Sequence, residues 1–401
     1  MSDHANNDLR VKLVAIAKDE AAYLPEWIFH HLSCGFDSID VYINRTTDNS
    51  EEVLSLINKQ YPQVKFYHAD WVDQCGGTVF NRMQFVVYAK AFYEASISGD
   101  YTHIAFLDID EFWMHQAQIS IHDFVSGFLK DDVIYLEWLI DLPDPAPFSP
   151  IGEYIQGNLS VLGKCIFPLS AKVHRFRLHT STFENKQRTV LADNSEFRND
   201  ENVVQSLHPS LNSLKQSFIF HRANRSTFEY VSLTRRGRPS SSFAYKENRK
   251  GLTQQSEKYH QIRVFKDSRR QKEFNEFIKK CQLDAALQNA REFVRNRYSQ
   301  AIEGLEGALK QNYKVMKSIF AHVSDPRVLN AFALHRKRIS EINPDDADIH
   351  RDLAKDAIHH DVADAVRLIE RAHELRPHGP KIIELKARYQ AMLNARQSKN
   401  G

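Results

Sequence analysis

The residues best suited to chemistry stand together as Asp108-Ile109-Asp110-Glu111, directly after the apolar run His103 to Leu107 (HIAFL). Such a run reads as a strand, and extended geometry would put Asp108 and Asp110 on the same side, two residues apart. Carboxylates held that close repel, and each raises the other's pKa unless a cation sits between them. The natural partner is a hard divalent ion, Mg2+ or Mn2+, which binds through few carboxylates and completes its shell with water and phosphate oxygens. An ion so held acts as a Lewis acid toward a departing diphosphate. The competing reading is structural, with the same residues opening a loop or capping a helix. Position at a strand end favours the ligand reading.

That position follows from the elements upstream. Val11 to Ala17 (VKLVAIA) is a nearly unbroken apolar run, as expected of a strand covered on both faces. Pro25 suits the first turn of a helix carrying Leu24, Ile28 and Leu32 and stopping at Gly35. Trp27 on that helix reads as core packing. Ile39 to Ile43 is a second strand, Asp48 with Glu51 is a capping-box-like helix start, and Val64 to Tyr67 is a third strand. A long helical stretch from Asn81 to Ser96 leads into HIAFL. Strand and helix in alternation predict a mainly parallel, doubly wound α/β sheet. Ligands gather at the carboxyl ends of such strands. Lys18, Asp19 and Glu20 end the first strand and so become nucleotide-contact candidates, against the alternative of a plain helix-entry loop.

Beyond Trp138 the signals turn irregular. Asp141 to Pro150 carries four prolines and reads as loop, Pro239 to Ser242 as a turn-like cluster, and the segment to Lys272 is polar. From Phe274 helical periodicity dominates. Ala365, Ile369, Ala372 and Pro377 stand where the second helix of a tetratricopeptide-type unit carries such residues, in a single unit. The expected layout is an α/β domain over 1–245, a basic polar linker over 246–273 and an all-α domain over 274–401, tetratricopeptide-like near its end.

Composition narrows the classes. A chain of 401 residues, 42% hydrophobic and 26% charged, suits a folded protein of about two domains. Net charge is only +2, yet Arg222 to Lys272 holds 14 Lys/Arg against 4 Asp/Glu. Such a stretch fits phosphates, an anionic membrane surface, nucleic acid or a solvated linker. The four cysteines lack zinc-finger or C-x-x-C spacing, which argues against structural zinc and a disulfide framework. The opening MSDHANNDLR lacks the apolar core of a signal peptide, and no run reaches the ~18–20 apolar residues that span a bilayer. A cytoplasmic location, with peripheral contact at the inner face of the membrane, is the expectation.

An ordered set of short motifs carries a family resemblance. Lys18-Asp19-Glu20, Tyr23-Leu24-Pro25-Glu26-Trp27, His30 or His31, and Gly35-Phe36 are followed by Asn44-Arg45-Thr46-Thr47-Asp48. Then come Gln84 and Tyr88 on a helix, LDIDEF at 107–112, and His221, Arg225-Ser226, Tyr230 and Arg236-Gly237. Together they resemble the glycosyltransferase family 2-like and family 92-like domains over residues 11–240. The resemblance implies a GT-A-type, Rossmann-like fold and transfer of a hexose from a nucleotide-sugar, UDP-linked, to a glycan or glycolipid acceptor in surface polysaccharide synthesis. It implies that Asp108 and Asp110 bind Mn2+ or Mg2+ and the donor diphosphate, with His221 as third ligand or phosphate contact. Lys18, Asp19, Glu20, Asn44, Asp48 and Gln84 would line the donor site, and Arg222, Arg225 and Arg236 would clamp phosphates through their planar donors. Ile43 stands where the family has an acid before the asparagine, so nucleobase recognition passes to Asp19 or Asp48.

An inverting transferase needs a carboxylate to take the acceptor proton. Asp141, Asp144 and Glu184 are candidates, with Asp141 preferred because it lies three residues past Trp138, itself placed for acceptor stacking. Two other functions compete. Nucleotidyl or phosphoryl transfer also uses paired carboxylates, but the chain has no Gly-rich phosphate cradle. A non-catalytic adaptor would use the helical and basic C-terminal regions, which also offer a peripheral membrane or protein partner. The basic stretch lacks a nucleic-acid fold signature, so no nucleic acid is expected.

Overall fold

The computed structural model describes residues 9–400 apart from 77–78, 202, 204, 238–241, 266–268 and 360. The first eight residues and most of the Pro239–Ser242 cluster lie outside them. The chain forms two compact units: one comprises Met1–Leu142, Phe148–Arg225 and Gln255–Val294, the other Pro143–Pro147, Ser226–Gln254 and Arg295–Gly401. The division therefore differs from a simple cut at 245.

The first unit begins with β1 (Val11–Ala17), α1 (Leu24–Ser33), β2 (Ser38–Ile43), α2 (Ser50–Gln60), β3 (Val64–His68), α3 (Met83–Ser98) and β4 (His103–Phe106). It continues with β5 (Glu111–His115), α4 (Ile121–Val125), β6 (Val133–Asp141), β7 (Tyr154–Pro168), β8 (Val173–Arg175), β9 (Thr182–Phe183), β10 (Thr189–Leu191) and β11 (Ser217–His221). The helix α5 (Thr227–Thr234) belongs to the second unit; β12 (Tyr259–Arg263) and α6 (Arg269–Lys280) belong to the first.

The curled sheet runs β3-β2-β1-β4-β7-β6-β11-β5, with β10 beside β6 and β12 beside β7. The first four strands are parallel. From β7 onward the sheet is mixed: β7 runs antiparallel to β4, β6 and β12, and β11 is parallel to β6 but antiparallel to β5. The expectation of a mainly parallel sheet thus holds for its first half only. Parallel pairing needs a long crossover, and after β4 the connections to β5 and β7 are a tight turn and a Pro-rich loop. The expected linker 246–273 contributes β12, whose residues pair with β7 from Tyr154 to Asn158.

Both faces of the parallel half are covered, which accounts for the unbroken apolar run of β1. Leu13, Ala15 and Ala17 pack with Trp27, Ile28, Val53 and Leu54, whereas Val14 packs with Val87, Tyr88 and Phe106. In β7, a Cβ at Gly157 would lie 2.3 Å from the Ile140 carbonyl oxygen and one at Gly163 2.1 Å from that of Leu136. Only glycine allows β7 to run so close to β6.

The remaining helices are α7 (Asp284–Glu303), within which the division falls, α8 (Leu305–Ile319), α9 (Pro326–Ile342), α10 (Ala347–Ala357), α11 (Val362–Leu375) and α12 (Pro380–Asn400). Their first core gathers Tyr230, Tyr245, Tyr298, Phe320 and Phe332, their second Leu353, Ala365, Ile369, Ala372 and Tyr389. The small and bulky residues singled out at 365, 369 and 372 are buried in this second core. No helix among the described residues is long and apolar enough to cross a membrane.

Candidate active site

The parallel half creates a natural crevice. From β1 the chain steps to β2 and β3 on one side, then returns to place β4 on the other. Strand order reverses between β1 and β4, and the crevice outside their carboxyl ends is where open α/β sheets take ligands. Lys18-Asp19-Glu20 follow β1 and Asp108-Ile109-Asp110 follow β4. Asp19 (φ 52°), Arg45 (φ 50°) and Arg225 (φ 51°), in the loops after β1, β2 and β11, adopt the left-handed conformation. Five other non-glycine residues, Gln118, Phe148, Asn194, Gln282 and His322, share this conformation outside these three loops, so it does not by itself mark a site.

The acidic segment is a turn and not the extended pair expected. The Glu111 N–H donates to the Asp108 carbonyl at 2.9 Å, and the Asp108 N–H donates to Glu111 Oε2 at 3.0 Å. Ile109 is buried beneath. The start of β5 is fixed by α1, which satisfies backbone groups along β5: Trp27 Nε1 donates to the Glu111 carbonyl (2.8 Å), His30 Nε2 donates to the Trp113 carbonyl (2.7 Å), and His31 Nε2 accepts from the Trp113 N–H (3.3 Å). The W-x-x-H-H spacing is therefore a backbone clamp. Burial lowers both imidazoles, His31 to about 3, so each stays neutral with one donor and one acceptor nitrogen.

The two aspartates have different surroundings. Asp108 Oδ1 accepts from Gln84 Nε2 (3.2 Å), whose amide also donates to the Tyr88 hydroxyl (3.0 Å). Asp108 Oδ2 lies 3.1 Å from Lys164 Nζ, and the same ammonium is 3.2 Å from Glu111 Oε2. Lys164 is 3% exposed and Glu111 not at all. Burial pushes Glu111 up to about 8 against the pull of Lys164; burial opposes the charge on Lys164, but Asp108 and Glu111 outweigh it and raise the lysine well above its usual range. Asp110 instead faces His221, with Oδ2 3.6 Å from Nε2, and its carbonyl accepts from the Arg222 N–H at 2.7 Å. The His221 ring packs 4.3 Å from Trp138, whose other neighbour is His179 at 4.8 Å. Trp138 meets the His179 ring edge-on and the His221 ring at a tilt, and is 9% exposed, so it offers no open stacking surface.

Among the described residues no three side chains of metal-binding type converge on one point. A hard ion needs few protein ligands. Asp110 with His221 offers an oxygen and an imidazole nitrogen at a spacing that can flank one ion, leaving other positions to water and phosphate.

The loop after β11 ties these parts together and corrects three expectations. Arg222 is buried, 3.0 Å from Glu26, and donates to the Ser149 carbonyl at 2.8 Å. Arg225 is buried against Glu20 at 3.4 Å, with its guanidinium 3.4 Å above the Tyr23 ring. Both arginines therefore anchor the loop and do not present open phosphate forks. Asp141, the expected base, is 2% exposed. Its oxygens accept from Asn224 N (2.9 Å), Asn224 Nδ2 (2.8 Å) and Arg225 N (2.8 Å). Burial pushes this carboxyl up to about 6, the hydrogen bonds from Asn224 and Arg225 holding it lower. A carboxylate so enclosed positions the loop and cannot reach an acceptor hydroxyl.

Around β1 and β2, Asp19 accepts from the Thr47 N–H at 2.7 Å, and Asn44 Nδ2 donates to the Ala69 carbonyl and to Asp70 at 3.3 Å each. Asp48 makes no capping box with Glu51; its oxygens accept from Ala21 N (2.8 Å), Ser50 N (3.0 Å) and Ser50 Oγ (2.6 Å), tying the two loops together. Lys18 acts electrostatically on Asp73, which Arg45 grips with two hydrogen bonds. Arg236 belongs to the other unit, at the end of α5. Lys164 was not among the sequence candidates. Its one signal is a lone charge inside the apolar end of β7, GKCIFP.

No family model matches the chain, and a search of curated proteins finds no match.

Proposed function

We propose that the chain is a divalent-metal-dependent glycosyltransferase of GT-A type, moving a hexose from a UDP-linked donor to a glycan or lipid-linked glycan. The observation that carries this reading is the acidic turn at the carboxyl end of β4, at the point where strand order reverses, with Asp110 facing His221. On this reading the nucleotide lies along Lys18, Asp19 and the Asn44–Asp48 loop, and the diphosphate reaches the Asp110–His221 pair. A Mn2+ or Mg2+ held there supplies Lewis-acid stabilisation of the leaving diphosphate. Gln84 and Lys164 fix the Asp108 carboxylate, and the loop 221–225 fixes the height of His221.

A cavity of about 610 Å3 is lined by residues between Val133 and Asn199 and by none of the site residues named above, so it carries no part of this reading. Thr180, Gln187, Asn194 and Asn199 give it amides and hydroxyls, and Phe183 and Phe197 give it ring surfaces.

The test combines Mn2+ with a panel of nucleotide-sugars and follows thermal stabilisation and slow donor hydrolysis. One donor should stabilise and be hydrolysed, EDTA should remove both effects, and Asp110→Asn should cut hydrolysis by about 100-fold or more. Equal stabilisation by any polyanion, untouched by Asp110→Asn, would point to a non-catalytic adaptor. Turnover of a nucleoside triphosphate in place of a sugar donor would point to nucleotidyl or phosphoryl transfer.

A further inference from the structure

Independently of the transferase reading, we infer that the chain carries an oxyanion site apart from the crevice, where Arg270 at the start of α6 grips a phosphate or carboxylate beside β5. A cavity of about 350 Å3 within the first unit has Cys34, Trp113, His115, Gln118, Phe265 and Arg270 in its lining. Arg270 is largely buried, its guanidinium 4.1 Å from the Phe265 ring centre and 5.2 Å from that of Phe29. Its Nη2 donates to His30 Nδ1 at 2.8 Å. Burial opposes its charge, and among the described residues no carboxylate forms an ion pair with it; Cys34, Glu26 and Glu273 favour the charge only from a distance. A charge removed from water ordinarily has a hydrogen-bonded counter-ion. The open edge of a planar guanidinium takes phosphate or carboxylate oxygens side by side.

Two more donors belong to residues of the same lining. Trp113 is 1% exposed, and its indole N–H finds no acceptor among the described residues. His115 accepts from the Ala117 N–H at Nδ1 (3.1 Å), and burial disfavours its charged form, so Nε2 carries the proton. The helix supplies a field of the right sign. α6 opens Arg269-Arg270-Gln271-Lys272 with no acid in its first turn, and Glu273, also on the lining, is exposed. Helix N-termini favour negative charge, so three cations there oppose the dipole unless an anion joins them. His30 in turn donates to the Trp113 carbonyl, so an anion that holds Arg270 also steadies the clamp on β5.

Calorimetric titration of the full-length protein with inorganic phosphate, and separately with acetate, tests this in metal-free buffer with chloride holding ionic strength constant. At least one anion should bind saturably: phosphate if the ligand presents a phosphoryl group, acetate if it presents a carboxylate. Arg270→Met should weaken that binding by about 30-fold or more, and Arg270→Lys, which keeps the charge without the fork, by about 5-fold. Asp110→Asn should leave it unmoved. Should Arg270→Met fail to fold, Arg270→Lys against the wild type decides. No saturable binding of either anion, binding unchanged in a folded Arg270 variant, or a similar loss in Asp110→Asn overturns the site and leaves the transferase reading in place.

Discussion

In the α/β unit charged side chains go inside. Lys164 and Glu111, Lys215 and Glu137, and Arg225 beside Glu20 are nearly or wholly removed from solvent. In α9 to α12 of the helical unit the charges mostly decorate outer faces, in pairs three or four residues apart such as Lys337–Glu341, Lys355–Asp352 and Lys381–Glu384. Arg336 with Asp364 is the buried exception. A surface pair contributes little and is easily exchanged. A buried pair seldom adds stability over an apolar replacement, but losing one partner is severe. Two of these pairs, Lys164–Glu111 and Arg225–Glu20, flank the loops that follow β4 and β1, where position matters more than stability. Lys215 instead precedes β11 and holds Glu137 within β6.

The two regions can be read separately, because all four tryptophans (Trp27, Trp71, Trp113 and Trp138) lie in the α/β unit. The largest effect expected is from Arg222→Ala. It would strand Glu26, whose other oxygen accepts from the Ile151 N–H at 2.6 Å, beside a newly emptied space. The tryptophan-fluorescence unfolding transition should lose about 3–5 kcal/mol. A change below 1 kcal/mol would mean that the arginine is an open phosphate ligand after all.

Acid should separate the units next. His31, lowered to about 3, and His103, lowered to about 4, are neutral through burial, and His30, His115 and His179 move in the same direction. In the unfolded chain each takes up a proton near pH 6.5. For these groups the unfolded state then binds more protons, so their contribution is full above pH 6.5 and falls as pH drops toward 4. It is offset in part by Glu111 and Asp141, whose carboxyls, raised to about 8 and about 6, favour the folded state as pH falls. Each of His31 and His103 contributes a slope of up to ~1.4 kcal/mol per pH unit across that window. His335 and His350 give the helical unit the same sign with fewer contributors. Urea midpoints by fluorescence should fall faster between pH 7 and 5 than those by circular dichroism at 222 nm, which weights the helices. Equal slopes would remove the contrast.

The legible part of this molecule is the part with local rules. β1, β2 and β4 are legible as apolar runs with ends correct to one or two residues, because strands buried on both faces leave no alternation to misread, and the partly exposed edge strand β3 matches to within one residue. The Asp108–Glu111 position was legible for the same reason. β7 was not: its 15 residues mix Gln, Asn, Ser and Lys among apolar ones, since half of it pairs with β12 and half with β4. Lys164 acquires meaning only when β7 lies beside the turn after β4, a contact spanning 56 residues. Asp141 misled because its spacing from Trp138 implied a shared cleft, whereas the strand turns the carboxylate into the loop 222–225. Arg222 and Arg225 misled because a basic residue near a motif reads as exposed until its carboxylate is located.

The smallest effect sharpens the contrast from the helical side. Asp346 caps α10 by accepting from the Asp348 N–H at 2.9 Å and the Ile349 N–H at 3.0 Å. These are orphan donors of the first turn, which nothing else in the helix can satisfy. Asp346→Ala should cost about 1 kcal/mol, and Asp346→Asn, which keeps an acceptor, a few tenths at most. The loss should appear in the circular-dichroism transition and leave the tryptophan transition unmoved, since the cap supports a core built from Leu353, Ala365 and Ile369. If the fluorescence midpoint shifts equally, the two units unfold as one.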